Sequence, residues 1–414
     1  MAIAKTAVVI GAGIVGVLTT WRLLQDGWHV IQLEATTLGS GSSSRSAACA
    51  RQQFSTAASV RAMIHSVRWF ERFQQCFGAA GPAMRQVGYF YPYWERDATA
   101  FTAARQLVCD QQAWGLRDVE LWDQPSLILE RFPFVNPDGL LGARFCGTDG
   151  FCFPDRIFTT VHAHCLRHPQ FEVRMQSPVV GIEHSSGRIS AVTTPQGKVS
   201  GDVYINCTNA WATQLERLLH GDDIRTLLPV QPLRRFLWFF PEFREQLLAA
   251  HANFDPLRFP MVVLTNGVYA RPEGPQANQL MMGHAHTPDP HWNFTHVDQD
   301  GSRPESDDLG EAAWFLLAEA VPIMQSRFGP TTTGFYGTTP NHQPYICADS
   351  AYGNWYRSVG FSGHGVMMSP FAADAMAALL RGEQTVQTEA GSVDLAVFGQ
   401  HRVQTGVHAE TAVL

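Results

Sequence analysis

Six residues near the start of the chain, Gly11-Ala12-Gly13-Ile14-Val15-Gly16, have the types and spacing to hold a pyrophosphate. The first glycine permits a tight turn, the second lets backbone N–H groups approach phosphate oxygens, and the third lets a helix pack closely on a strand. A helix opening at this point aims the positive end of its dipole at the phosphates. Glu34 follows twenty-three residues after Gly11 and can accept hydrogen bonds from both hydroxyls of an adenosine ribose. An acid there suits NAD or FAD and disfavours NADP, whose additional phosphate wants an arginine. These residues alone leave NAD and FAD both open. His284 and His286 would share one face of a strand, with His291 and His296 downstream, but no carboxylate or thiolate stands near them and no metal is expected. The eight cysteines contain no Cys-x-x-Cys pair, Cys146 and Cys152 being the closest, so reduced and mostly buried thiols are expected. His162 and His164 read as satisfied or solvated residues of a helix.

The elements that would position these groups follow from periodicity. Thr6 to Ile10 is a valine-rich run suited to a buried parallel strand. A helical segment with Val17, Leu18, Trp21 and Leu24 follows and breaks near Gly27, and a second strand, His29 to Leu33, ends at Glu34. That strand–turn–helix–strand order is the context in which the glycine pattern carries meaning. Val60, Met63, Ile64, Val67, Phe70, Phe73 and Phe77 recur at helical spacing and predict a long amphipathic helix over Ala57 to Phe77. Further on, strands are expected at Gly88 to Tyr93, Val173 to Ile182, Ile189 to Thr194, Val203 to Asn206 and Phe236 to Phe240. Helices are expected at Phe101 to Gly115 and at Leu309 to Met324, the latter opened by a capping box of Asp308 and Glu311. Pro133 to Gly150 reads as loop-rich, and Pro288 to Asp308 as a polar loop. Ser369 and Pro370 suit the N-cap and first position of a closing helix that stops at Gly382.

The chain has 414 residues, 45% of them hydrophobic and 16% charged, which suits two well-cored domains. Thirty basic against thirty-seven acidic residues give a net charge of −7, which argues against nucleic acid as a partner. No apolar run is long enough to span a bilayer, and the N-terminus enters a strand without a cleavage signal, so a cytoplasmic location is the expectation.

A second small-residue loop, Gly39-Ser40-Gly41-Ser42-Ser43-Ser44-Arg45-Ser46, follows the acidic strand where a long cofactor would continue. With the first motif it resembles the D-amino-acid oxidase and sarcosine oxidase group of flavoproteins. Gly360-Phe361-Ser362-Gly363-His364-Gly365 is similar to that group's flavin-contacting loop. Arg51-Gln52-Gln53-Phe54-Ser55 and Asn266-Gly267-Val268-Tyr269-Ala270-Arg271-Pro272-Glu273-Gly274 resemble one branch of it, the dimethylglycine-dehydrogenase-like and FAD-dependent oxidoreductase domain-containing proteins. The resemblance implies a mixed α/β fold. A Rossmann-type FAD-binding domain (residues 1–85, 150–225 and 330–414) would interleave with an antiparallel-sheet substrate domain (86–149 and 226–329).

The resemblance also implies which residues hold FAD. These are Gly11, Gly13, Ile14, Val15, Gly16, Glu34 and Ala35; Ser42, Ser43, Arg45 and Ser46; Val180, Asn206 and Trp211; and Gly334, Gly360, Gly363, His364, Gly365, Val366 and Met367. Before Trp211 the family usually has a glycine, where this chain has Asn206-Cys207-Thr208-Asn209-Ala210. Arg51 matches the arginine that binds a substrate carboxylate in sarcosine oxidases, and Tyr336 a tyrosine facing the substrate. His364 fits a turn under the flavin edge. Where monomeric sarcosine oxidases carry a flavin-linked cysteine this chain has Gly334, and no histidine lies between Leu38 and Ala50, so the FAD is expected to be non-covalent. Met367 and Met281 stand where the family has lysines, which predicts slow reoxidation by O₂ and a quinone-type or other acceptor unless His284, His286 or Arg271 substitutes. The activity implied is oxidation of the C–N bond of an amino acid or secondary amine. Oxidation of a 2-hydroxy acid and a mainly assembly or binding role are the alternatives.

Overall fold

The computed structural model describes residues 4–224, 228–285, 304–323, 329–401 and 409–410. Thr6–Ile10 lies at the centre of a six-stranded sheet, hydrogen-bonded in parallel to His29–Leu33 on one side and to Val203–Asn206 on the other. Phe171–Arg174 extends it beyond His29–Leu33, Trp355–Val359 continues in parallel beyond Val203–Asn206, and Tyr345–Ala348 closes that edge antiparallel. Side chains alternate across such a strand. Ala7 and Val9 therefore join the core under helices Ile14–Gln25, Ala57–Phe77, Pro154–Cys165 and Gly365–Leu380. Val8 and Ile10 pack on the opposite face with Ile189, Val192 and Val199 of a three-stranded antiparallel sheet. The expected strand, helix and second strand all form, as does Ala57–Phe77. That long helix is capped by the Thr56 hydroxyl, which accepts from Ser59 N–H at 3.3 Å, and ended by Gly78 at φ 60°.

An eight-stranded sheet roofs the first unit. Its order runs Thr331–Thr338, Gln231–Phe240, Gln279–His284, Val268–Glu273, Met261–Val263, Tyr89–Trp94, Leu140–Cys146 and Val119–Trp122. One face carries Phe236, Trp238, Phe240, Val262, Val268, Leu280 and Met282, buried with Ala313 and Leu317 of helix Pro304–Ala320 and Phe243 and Leu247 of helix Phe243–Ala250. The alternating positions Arg235, Leu237, Tyr269, Gly334 and Tyr336 turn to the other face.

Several boundaries differ from the sequence reading. Thr331–Thr338, expected in the cofactor-binding segment that opens at 330, is the edge strand of the roof and pairs with Gln231–Phe240 along its whole length. The expected strand Val173 to Ile182 is two strands, Phe171–Arg174 and Gly181–Ser185, in different sheets, interrupted at Ser177-Pro178. Pro178 has no N–H for a sheet ladder, which explains the break. Leu140–Cys146 forms a strand inside the supposedly loop-rich stretch. Helix Pro304–Ala320 starts at its proline, so Asp308 and Glu311 lie inside it and cap nothing. His286, His291 and His296 fall outside the described residues. Among the described residues no helix is long and apolar enough to cross a membrane.

Candidate active site

At the first turn, Gly11 has φ 107°, and a Cβ on it would lie 3.0 Å from Cys207 O. A Cβ on Gly16 would lie 2.0 Å from Gly11 O, which leaves no room for any other residue at the helix–strand contact. Ile14 N–H donates to Ser43 Oγ at 2.9 Å, tying the second small-residue loop to the opening of the helix. The Glu34 carboxylate is fixed by the N–H groups of Ala12 at 2.7 Å and Thr36 at 2.8 Å. From this acid a cavity of about 580 Å³ extends between the parallel sheet and the roof. Gly11, Gly13, Ile14, Val15, Glu34, Ala35, Ser42, Ser43, Arg45, Ser46, Trp211, Gly334, Tyr336, Gly363, Gly365 and Val366 all line it. A length of cavity that starts at a ribose-type acid, passes glycines and a helix N-terminus, and ends under an aromatic roof fits a long dinucleotide.

Six expected cofactor contacts lie outside this lining: Gly16 packs against Gly11 O, His364 and Met367 line a separate small cavity, and Val180, Asn206 and Gly360 stand elsewhere. Val180 is 55% exposed and gives its N–H to Thr193 O at 2.8 Å, while its neighbours Ser177, Pro178 and Val179 line the cavity. Asn206 is fully buried behind the lining, donating to Glu216 at 2.9 Å and accepting from Thr208 N–H at 3.0 Å. Gly360 also stands back, and its N–H donates to Asn209 Oδ1 at 3.1 Å. The missing glycine before Trp211 is replaced in kind, because Asn209 has φ 46°. Asparagine tolerates the left-handed region better than most residues, and here its side chain also accepts from Phe361 N–H at 3.2 Å.

The closing helix begins at Gly365, with His364 at its N-cap position, rather than at Ser369 and Pro370. Pro370 lies inside the helix and cannot donate to Val366 O, but the Ser369 hydroxyl takes that carbonyl at 2.8 Å. The helix N-terminus is thereby brought to the cavity wall.

A small second cavity, about 20 Å³, adjoins the first and shares Ser46, Ala47, Tyr269, Tyr336 and Gly363 with it. Arg51, His364 and Met367 line it. Arg51 is 1% exposed; its guanidinium lies 3.5 Å from Tyr91 Oη, 3.3 Å from His364 Nε2, and over the Phe54 ring at 4.4 Å. Burial, with the charge of Arg51 and of His342 nearby, pushes His364 well below the ordinary histidine range, so its ring is neutral. A guanidinium has only donors. His364 Nε2 is therefore the acceptor and its proton sits on Nδ1. Burial also raises the Tyr336 and Tyr269 phenols, whose hydroxyls hydrogen-bond each other.

Met281 is buried on the roof beside Tyr269 and lines neither cavity. Arg271 is held by Ala47 O at 2.8 Å, Pro272 O at 3.0 Å and Glu273 at 2.6 Å, and His284 Nε2 lies 3.0 Å from Asn266 O. The roof does present a cation to the large cavity, and it is one the sequence reading overlooked. Arg235 lines it, with its guanidinium 5.6 Å from the Tyr336 ring and donating to Ala285 O at 2.6 Å. Its alternation with Leu237 along one strand was the available signal. The acids Glu216 and Asp349 with His220 form a compact cluster, but the Arg357 guanidinium occupies it.

Residues 6–379 match the model of the DAO family, FAD dependent oxidoreductase. The chain belongs to this family. FAD is its cofactor, and the residues lining the large cavity are those that would hold it. The DAO-family chain is 22% identical over 398 residues to the glycine oxidase of Pseudomonas putida, covering 92% of this chain and 96% of that protein. It is 22% identical to the FAD-dependent oxidoreductase domain-containing protein 1 of Xenopus laevis, covering 90% of this chain and 78% of that one. Among solved structures it superimposes on L-proline dehydrogenase from P. horikoshii with a TM-score of 0.81 at 22% identity, covering 98% and 99% of the two chains. Glycine oxidase from Geobacillus kaustophilus superimposes with a TM-score of 0.76 at 19% identity, covering 96% and 99%. These DAO-family likenesses agree with the mixed α/β architecture.

Proposed function

We propose that the protein oxidises the C–N bond of a small amino acid or secondary amine that carries a carboxylate, yielding an imine that water hydrolyses. The observation that carries this reading is Arg51, buried beside Tyr91 and His364 on the small cavity that shares Tyr336 and Gly363 with the large one. Relatives named for glycine and proline oxidation support an amino-acid substrate. FAD, when bound, supplies a hydride acceptor at flavin N5.

The protein's own residues then have four tasks. Arg51 takes both oxygens of the carboxylate through its planar fork. Neutral His364 holds the guanidinium by accepting from it and adds no competing charge. Tyr336 and Tyr269 keep their protons, which suits them to orient substrate by hydrogen bonding rather than to abstract a proton. The N–H groups at Gly365 and Val366 favour negative charge at the adjoining end of the large cavity. Gly334 carries no side chain to bond the flavin, which supports a non-covalent FAD. The electron acceptor, O₂ or a quinone-type compound, belongs to the same proposal.

Anaerobic mixing of the holoenzyme with amino acids, N-methyl amino acids, cyclic imino acids and 2-hydroxy acids tests it through bleaching of the flavin absorbance. Bleaching by an amine-bearing acid is expected. Arg51→Ala should lose a hundredfold or more in kcat/KM for the acid, on the order of the few kcal/mol that a buried charged hydrogen-bond partner provides. Bleaching only by 2-hydroxy acids would replace the amine reading, and bleaching by nothing would favour an assembly role.

A further inference from the structure

Arg51 opens a short irregular segment, Arg51-Gln52-Gln53-Phe54-Ser55, that belongs to no helix or sheet. A buried segment of this kind needs partners for its backbone from elsewhere. Asp149 meets that need. It is fully buried in the turn between Leu140–Cys146 and Gly150–Cys152. The turn fixes it in place: Asp149 N–H donates to Cys146 O at 3.3 Å and its carbonyl accepts from Gly88 N–H at 2.9 Å. Oδ1 accepts from Gln52 N–H at 2.8 Å and from the Gln52 amide at 3.0 Å, and Oδ2 accepts from the Gln53 amide at 2.9 Å. Charge-assisted bonds are the stronger kind, and three of them latch the two residues that directly follow Arg51. At the far end of the segment Ser55 N–H donates to Glu410 at 2.8 Å.

We propose that Asp149 is the positioning residue for Arg51, holding its backbone so that the guanidinium meets the substrate carboxylate between Tyr91 and His364. The proposal rests on the reading that Arg51 binds that carboxylate. Asp149 lines neither cavity, so its effect on the substrate passes through the segment.

The position also bears on pH. Burial pushes Asp149 up to about 6, with the Gln53 and Gln52 bonds and the Arg51 charge pulling the other way. Around it, the Cys146 thiol and the Tyr89 phenol are pushed well up by burial and carry no charge. On the other side of Arg51, His364 and His342 are both pushed down by burial. Asp149 is thus a group beside Arg51 pushed up to about 6, and a proton on it converts an acceptor facing amide donors into a donor.

Steady-state kinetics of wild type, Asp149→Asn, Asp149→Ala and Arg51→Ala holoenzymes, on a responsive acid and its neutral amide, provide the test. Asp149→Ala should raise KM for the acid roughly ten- to hundredfold, the scale of a small misplacement. In that variant kcat should fall less than KM rises, the KM for the amide should stay near that of wild type, and the FAD dissociation constant should not change. Wild type is expected to show an inflection near pH 6 in KM for the acid, and Asp149→Asn, which keeps an oxygen toward Gln52, should recover most of the affinity and lose that inflection. An equal rise in KM for acid and amide, or an equal loss of FAD affinity, would overturn the proposal. If Asp149→Ala does not fold, an inflection retained in Asp149→Asn overturns it. If wild type treats acid and amide alike, the carboxylate reading of Arg51 and this proposal fall together. If Arg51→Ala loses the discrimination and Asp149→Ala keeps it, only the role of Asp149 is refuted.

Discussion

At the residue scale, charge in the large cavity is decided by single side chains whose direction depends on a strand. Met281 and Met367 bring no charge, and Arg271 is committed to Ala47, Pro272 and Glu273. Arg235 is the described roof cation that lines the large cavity. A fixed cation lowers the energy of an anion forming in a low-dielectric site. We therefore expect Arg235→Met to slow reoxidation of the reduced enzyme by O₂ on the order of tenfold, equivalent to about 1.4 kcal/mol. Met281→Lys should leave that rate near wild type, because position 281 lines neither cavity. Stopped-flow mixing with oxygenated buffer measures both. A large gain from Met281→Lys would return the oxygen-reactive position to that strand.

At the element scale, the loop carrying Gly360 to Gly365 depends on a residue from a distant turn. Asn209 has two separate features, a left-handed backbone and a side-chain oxygen that accepts from Gly360 and Phe361 N–H. Glycine in its place keeps the first and loses the second, while alanine loses both. Each lost hydrogen bond costs about 0.5–1.5 kcal/mol, and the left-handed region costs a non-glycine residue about 1–2 kcal/mol. Asn209→Gly should be measurably less stable than wild type, and Asn209→Ala less stable again, in thermal unfolding and in FAD dissociation. Equal losses in the two variants would show that the backbone conformation there carries no cost. The same physics accounts for the closing helix. Its proline is tolerated because Ser369 takes the orphaned carbonyl of Val366, so the helix N-terminus reaches Gly365 and the cavity instead of stopping a turn short.

At the scale of the whole molecule, a buried ionic cluster joins the edge of the parallel sheet to the helix Ala212–His220. Arg357 is fully buried and bonds Glu216 at 2.7 Å, Asp349, and Gln400 at 3.0 Å, while Trp355 Nε1 donates to Glu216 at 2.8 Å. Burial alone would raise the Asp349 carboxyl. The His220 bond, the Arg357 charge and the N–H groups of Ala351 and Tyr352 outweigh it and hold the carboxyl below its ordinary range. A carboxyl depressed on folding contributes stability that is present above its unfolded pKa, about 3.9, and is lost as pH falls through that value toward the folded one. Urea unfolding between pH 3 and 7 should show stability falling at the acid end. Arg357→Met should cost about 3–5 kcal/mol near neutrality, because it strands two buried carboxylates, and should flatten the acid limb. A wild-type stability independent of pH from 5 to 3 would contradict this account.

Local pattern sufficed wherever the physics was local. Gly11, Gly13, Gly16 and Glu34 could be read because turn, helix opening and strand end are set by neighbours within one supersecondary unit, and the Ala57–Phe77 stripe because a helix repeats its own face. The roof could not be read this way. Which side of Gln231–Phe240 meets the cofactor depends on its pairing with Gln279–His284 and Thr331–Thr338, so Arg235 and Tyr269 emerged as lining residues only from the register of strands far apart in the chain. The break at Pro178, which turned Val179 rather than Val180 to the cavity, needed the neighbouring sheet to fix its direction. Arg51 was recognisable from its motif, but the carboxylate of Asp149 that holds its segment comes from nearly a hundred residues away. A side chain's type is written in the sequence, whereas its direction and its partner are fixed only when non-local strands pair and bury it.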